Sequence, residues 1–158
     1  MSLLTIRLAN KKDSRTYFHW ANDPLVRELS YDSEVIPLSD HTAWFEKKLQ
    51  EPDCHLYIFH NEQKILVGQV RIEIEHNHEA VIGISIDIQL RGNGHGIQML
   101  ELAVVTFRKE HPKTRINAYI KIENKSSQVI FEKAHFNLEA EILYKNVKSY
   151  HYVRNEDC

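Results

Sequence analysis

Hydrophobic side chains change their spacing several times along this chain, and each change marks a new element. Leu4-Thr5-Ile6-Arg7-Leu8 alternates apolar and polar, the period of a strand with one buried face. Residues 13–20 shift to helical spacing, and Asn22-Asp23-Pro24 is a turn whose proline suits the start of another short helix. After Pro37 an amphipathic helix sets Trp44, Phe45 and Leu49 on one side and Lys47 and Lys48 on the other, with Ser39 as its expected N-cap. Three strand-like stretches follow, 56–59, 65–74 and 80–88, separated by the turns Asn61-Glu62-Gln63-Lys64 and Glu75-His76-Asn77-His78. A helix is predicted from about 97 to 109, ending at His111-Pro112. A strand over 115–122, a helix over 124–134 and a hairpin of 138–144 with 150–154 complete the pattern.

This order runs from helices into an antiparallel meander and then into β-α-β-α-β. It predicts an α+β (mixed α/β) fold on one mixed sheet, not a doubly wound dinucleotide-binding sheet. No linker, repeat or low-complexity stretch interrupts it, so 158 residues are read as one domain over 1–158. A net charge of −2 offers no basic surface for nucleic acid, and no apolar run reaches the roughly 18 residues of a membrane span. The first residues lack the basic flank and apolar core of a signal peptide, and Cys54 and Cys158 are too few for a disulfide framework. A reduced, cytoplasmic protein is expected.

Chemistry enters with the glycines. The chain has five, and Gly92, Gly94 and Gly96 fall together between a predicted strand and a predicted helix. A loop that points several backbone N–H groups at an anion needs residues without Cβ, and the following helix N-terminus adds to the attraction. The spacing fits neither the P-loop nor the dinucleotide fingerprint. It is a pyrophosphate cradle in outline, or else a tight strand-to-helix turn with no ligand.

Gln89-x-x-Gly92-x-Gly94 resembles the [Q/R]-x-x-G-x-[G/A] signature of the GNAT N-acetyltransferases. The resemblance implies a GNAT-like acyl-CoA N-acyltransferase fold, with a central, largely antiparallel mixed sheet flanked by helices, and acetyl-CoA as cofactor. It implies that Gln89, Arg91, Gly92, Asn93, Gly94, His95 and Gly96 surround the coenzyme A pyrophosphate. The apolar strand before the loop is similar to the family's fourth strand, whose splayed end takes the pantetheine arm beside Ile86 and Ile88. Asn124-Lys125-Ser126-Ser127 through Phe131-Glu132-Lys133-Ala134-His135-Phe136 is similar to the family's N-x-[A/S]-S-x-x-L-[Y/F]-E-K-x-G-F segment. There Asn124 and Ser127 would meet the cofactor arm and Phe131 would pack beside it. Trp20-Ala21-Asn22-Asp23-Pro24-Leu25-Val26-Arg27 with His41-Thr42-Ala43-Trp44-Phe45 resembles the branch that acts on nucleotide-linked amino sugars. That implies acceptor contacts from Trp20, Asn22, Arg27, His41 and Arg71, although Trp20 also reads as a core anchor and His41 as an ordinary helix residue.

Attack of an amine on a thioester needs a base, because an alkyl ammonium has a pKa near 10. Glu79, then Glu73, are the expected bases, directly or through water; a solvated strand-edge carboxylate is the plain reading of either. The oxyanion would meet a backbone N–H within 86–88. Phe131 stands where many relatives carry Tyr, which leaves Tyr119, Ser127 or water to protonate the leaving thiolate. His135 replaces the usual Gly at a position expected to have positive φ. His76-x-His78-Glu79 offers too few ligands for zinc, so no metal is expected. Three functions remain open from the sequence. They are acetylation of a small-molecule amine such as a nucleotide-linked amino sugar, acetylation of a protein N-terminus, and non-catalytic acyl-CoA binding.

Overall fold

The computed structural model describes residues 3–155; Cys158 lies outside them. The front of the chain forms β1 (Thr5–Leu8), α1 (Ser14–Ala21), α2 (Pro24–Leu29) and α3 (Leu38–Gln50). The meander is β2 (Cys54–His60), β3 (Leu66–His76) and β4 (Glu79–Ile86). Then come α4 (His95–Arg108), β5 (Arg115–Lys121), α5 (Lys125–Lys133), β6 (Asn137–Tyr144) and β7 (Val147–Arg154). The seven strands make one sheet in the order β1-β2-β3-β4-β5-β7-β6. Among the described residues only β4 and β5 pair in parallel, as a helical crossover through α4 requires.

Period-two alternation divides the sheet's side chains between two cores. Val70 and Ile72 of β3, Ala80 and Ile82 of β4 and Ile116 and Ala118 of β5 bury against Met99, Leu100, Ala103 and Phe107 of α4. Each of the larger side chains among these, valine upward in size, contributes about 1.5–3 kcal/mol on burial. The opposite face packs Leu56 and Ile58 of β2 against Tyr17 and Trp20 of α1 and Phe45 of α3. We call this the front face.

Several boundaries differ from the predicted ones for local reasons. Pro37, not Ser39, precedes the first turn of α3, and His41 N–H bonds back to Pro37 O at 3.0 Å. The Asp87 carboxylate accepts from Gln89 N–H at 3.0 Å and turns residues Ile88–Leu90 into a 3-10 turn, so β4 stops at Ile86. Lys145 and Asn146 both take positive φ, 49° and 66°, forming a two-residue hairpin turn that starts β7 three residues earlier than predicted. His76 and His78 are exposed at the β3–β4 turn, where His78 has φ 61°.

Candidate active site

The site begins where two strands part. β4 and β5 share three rungs, Glu79 with Arg115, Ala80 with Ile116 and Val81 with Asn117. Beyond them β4 stays paired with β3 as far as Ile86, while β5 follows β7 as far as Lys121. The edges diverge into a cleft of ≈ 230 Å³, walled by Ile84, Ser85 and Ile86 of β4, Asn124, Ser127 and Ile130 around α5, and Leu25 and Val26 of α2. Arg91 and Gly92 close one end.

The glycine loop has the conformation that its composition demands. Gly92 and Gly94 sit in the left-handed region, at φ 80° and 79°, where a side chain is strained. Gly94 caps α4 with no side chain accepting from the first turn, so the leading amides of a 14-residue helix are open to an anion. A Cβ on Gly96 would stand 3.0 Å from Ile130 Cδ1 and 3.1 Å from Ile86 Cδ1, so glycine there lets α4 close on α5 and β4. His95 is buried, with Nδ1 lacking a partner among the described residues. Arg91 donates to Ile86 O at 3.0 Å and pairs with Asp23 at 3.2 Å, tying α2 to the loop. Asn93 folds back on Leu90 O at 3.2 Å. Asn124 Oδ1 caps α5 by accepting from Ser127 N–H at 3.2 Å, which leaves its Nδ2 beside the cleft.

Three expected cofactor contacts fall elsewhere. Ile88 is 61% exposed, off the cleft wall, because the chain has already turned at Asp87. Gln89 is exposed in the same turn. The Asp87 amide donates to Val67 O at 2.8 Å, so it is not a free oxyanion donor. Phe131 is 3% exposed and packs edge-on to Phe136 at 5.0 Å, inside the α4 core rather than at the cleft, where Ile130 takes its place.

On the front face, cross-strand register lines up Arg71 with Gly83, Val81 with Asn117, Tyr119 with His151 and Lys121 with Ser149. Tyr119 is stacked between Tyr144 at 4.1 Å and His151 at 4.8 Å. Tyr31 reaches over from the α2–α3 connection to bond Ser149 Oγ at 2.6 Å and meets Tyr144 edge-on. Arg71 lies over Trp44 at 5.4 Å, half-buried, and makes no hydrogen bond or ion pair within the described residues.

Four of the five expected acceptor contacts instead build the wall behind this face. Trp20 is 6% exposed and donates to Asp87 Oδ2 at 3.0 Å. Asn22 exchanges two 2.8 Å bonds with the backbone of Ile36. The Arg27 guanidinium donates to Ala21 O, Asp32 O, Glu34 O and Ser30 Oγ, clamping the α2–α3 connection. His41 is 3% exposed among Phe18, Trp44 and Phe45; burial, then the charge of Arg27, keeps its imidazole below the ordinary range.

The two expected bases are also engaged. Glu73 is held by Lys48 at 2.6 Å, at the foot of α3. Glu79 Oε1 accepts from Asn117 Nδ2 at 3.0 Å. Glu79 opens β4, and six residues at about 3.3 Å each set it roughly 20 Å from Ser85 at the cleft. An amine at the cleft is therefore out of its direct reach. Asn117, Tyr31 and His151 escaped the sequence reading, although a buried asparagine amid Arg115-Ile116-Asn117-Ala118 is a polar break in an apolar strand and a usable signal.

Residues 4–137 match the family model of the acetyltransferase (GNAT) domain. No curated protein matches the chain in sequence. Among solved structures it is similar to a spermidine N-acetyltransferase from Vibrio cholerae in complex with CoA and spermine. That similarity has a TM-score of 0.84 at 16% identity, over 97% of this chain and 95% of that one. An aminoglycoside acetyltransferase in complex with coenzyme A and kanamycin gives 0.82 at 17%, over 97% and 95%. A domain from Methanocaldococcus jannaschii gives 0.82 at 22%, over 98% and 99%. These likenesses establish the fold, and with a family match over most of its length the chain belongs to the GNAT family of N-acetyltransferases.

Proposed function

We propose that the chain transfers acetyl from acetyl-CoA to the amine of a small molecule that also carries phosphate: a nucleotide-linked amino sugar, of the UDP-4-amino-4,6-dideoxy class or a close analogue. Bound at the cleft, coenzyme A supplies an acetyl thioester whose carbonyl carbon is open to attack. The residues present suit it: the left-handed glycines and the first turn of α4 for pyrophosphate, Asn124 and Ser127 for the amide-rich arm, Ile84 and Ile86 for its apolar stretches.

One observation carries the acceptor class. Arg71 presents a guanidinium on the front face with no acceptor of its own among the described residues, level with the opening of β4 and β5. A guanidinium matches phosphate oxygens in a bidentate geometry. It would repel a polyammonium acceptor, and so speaks against the spermine and kanamycin types bound by the structural neighbours. The test is an acceptor screen with wild type and Arg71→Ala. Wild type acetylates a nucleotide amino sugar far faster than spermidine or an N-terminal peptide panel. Arg71→Ala raises the KM for that acceptor roughly 10–100-fold with coenzyme A affinity unchanged, the value of a charged hydrogen-bonded contact. Preferred acetylation of the peptides or the polyamine overturns the reading.

A further inference from the structure

Asn117 is 4% exposed and uses every polar atom of its side chain. Its Nδ2 donates to Glu79 Oε1 at 3.0 Å and to Ala80 O at 3.1 Å, so its Oδ1 faces His151 Nε2 at 2.7 Å. The flipped amide would press its own oxygen against a carboxylate and a carbonyl, leaving three acceptors together. An amide oxygen only accepts, so Nε2 of His151 carries the hydrogen, and the neutral ring keeps its lone pair on Nδ1.

The charged groups around the ring come from three strands: Arg115 of β5, Glu79 of β4 and Glu139 of β6, with Tyr119 of β5 stacked on its face. Burial, then Arg115, lower the tendency of His151 to take a proton, while Glu139 and Glu79 act the other way; the net direction is down. The ring is therefore neutral near pH 7 and able to accept. Its placement completes the case. Val81 and Asn117 form the last β4–β5 rung, and the next front-facing residues are Gly83 and Tyr119. Arg71 pairs with Gly83 and His151 pairs with Tyr119, so the two side chains flank the opening at one level.

We propose that His151, level with Gly83 and two residues short of Ser85, takes the proton from the acceptor's ammonium onto Nδ1 by way of water in the cleft mouth, with Asn117 and Glu79 as positioning residues that fix the tautomer; this rests on the acetyltransferase reading above. The ammonium N–H bond breaks, and its electron pair remains on nitrogen as the attacking lone pair; as that pair forms the C–N bond the thioester C–S bond breaks, and the second proton the nitrogen sheds goes to the departing thiolate. The first proton becomes the second N–H of an imidazolium whose Nε2–H stays on Asn117 Oδ1. The carboxylate of Glu79, one amide away, offsets the new charge, and the proton passes to water after transfer. The arrangement follows the logic of a histidine oriented by an acid, with an asparagine as the intermediary.

Two measurements test this. Nitrogen NMR of the wild-type free protein should show neutral His151 with hydrogen on Nε2; a ring protonated at Nδ1 instead overturns the proposal and needs no variant. The pH profile of kcat/KM should lose its acid limb in His151→Gln, with kcat down about a hundredfold, in the range of one general base. Coenzyme A affinity and circular dichroism should stay near wild type. Asn117→Leu should lower kcat with little change in acceptor KM. An acid limb that stays at the same pH in folded His151→Gln overturns the proposal. A wild-type protein that acetylates no phosphate-bearing amine refutes the acceptor class instead, and the same comparison is then made with whichever amine it does acetylate.

Discussion

His135 shows how far a single position can be read and what it costs. Its φ is 71°, and it stands just past α5, where Phe136 N–H bonds Phe131 O at 3.0 Å and His135 N–H bonds Glu132 O at 3.1 Å. That pair of bonds is the Schellman ending, with the Phe131–Phe136 ring contact as its apolar clasp. The sequence pointed to positive φ here because the family segment has glycine at this place, and the backbone agrees. A left-handed conformation costs a non-glycine residue about 1–2 kcal/mol. The compensating contact to Glu101 is 3.6 Å long between exposed groups and is worth little. His135→Gly should therefore stabilise the protein, net of the extra freedom glycine has when unfolded, by roughly 0.5–1 kcal/mol, or about 1–4 °C in Tm. A thermal melt that falls instead would mean that the imidazole holds something beyond its own turn.

At the scale of the element, the glycine loop was legible because the turn itself is shaped locally, although Asp23 and Ile130 reach it from distant segments. Three residues without Cβ between a strand and a helix leave few alternatives, and Gly92 and Gly94 are the two that turn left-handed. Gly94→Val should force the cap out of that conformation and put methyl groups at the uncapped first turn of α4. Coenzyme A affinity should drop by well over tenfold by calorimetry, with circular dichroism near wild type. An unchanged affinity in the folded variant would remove the cradle from the account. The start of α3 was less legible, since Ser39 is a good cap by type but Pro37 O takes the first helical bond. What residue type conceals is the partner. Arg27 and His41 have the chemistry of ligand contacts, yet one is spent on four backbone and side-chain acceptors of its own segment and the other is enclosed by aromatic rings.

For the whole molecule, the alternating strands could be read but not the order in which they meet. The Asn117–His151 and Tyr31–Ser149 bonds span 34 and 118 residues, and no local pattern announces them. The same long-range burial sets the response to acid. Burial holds the imidazoles of His41 and His55 below the ordinary value of 6.5, with Arg27 and His111 respectively adding to it. Below about pH 6.5 the unfolded chain binds these protons before the folded one does. The stability they confer is whole above that value and is lost as pH falls through their folded values, by at most about 1.4 kcal/mol per pH unit for each ring. Urea midpoints should therefore decline from pH 7 to 5, and the double variant His41→Gln/His55→Gln should show a flatter acid limb. A midpoint equally flat in both proteins would exclude these two histidines as the cause.

The three rungs that join β4 to β5 have a mechanical meaning as well. They divide the sheet into two leaves, β1 to β4 and β5 with β7 and β6, each complete in its own backbone bonds. Rotation of one leaf about that short corner changes the width of the cleft while every ladder stays intact. Widening the cleft for a cofactor is thus resisted by side chains rather than by strand pairing: by the bonds that Asn117 and Tyr31 make across the corner, and by the contacts that Gly96, Ile86 and Ile130 share, so the sheet acts as a hinged clip whose stiffness depends in part on how closely a helix can approach a glycine.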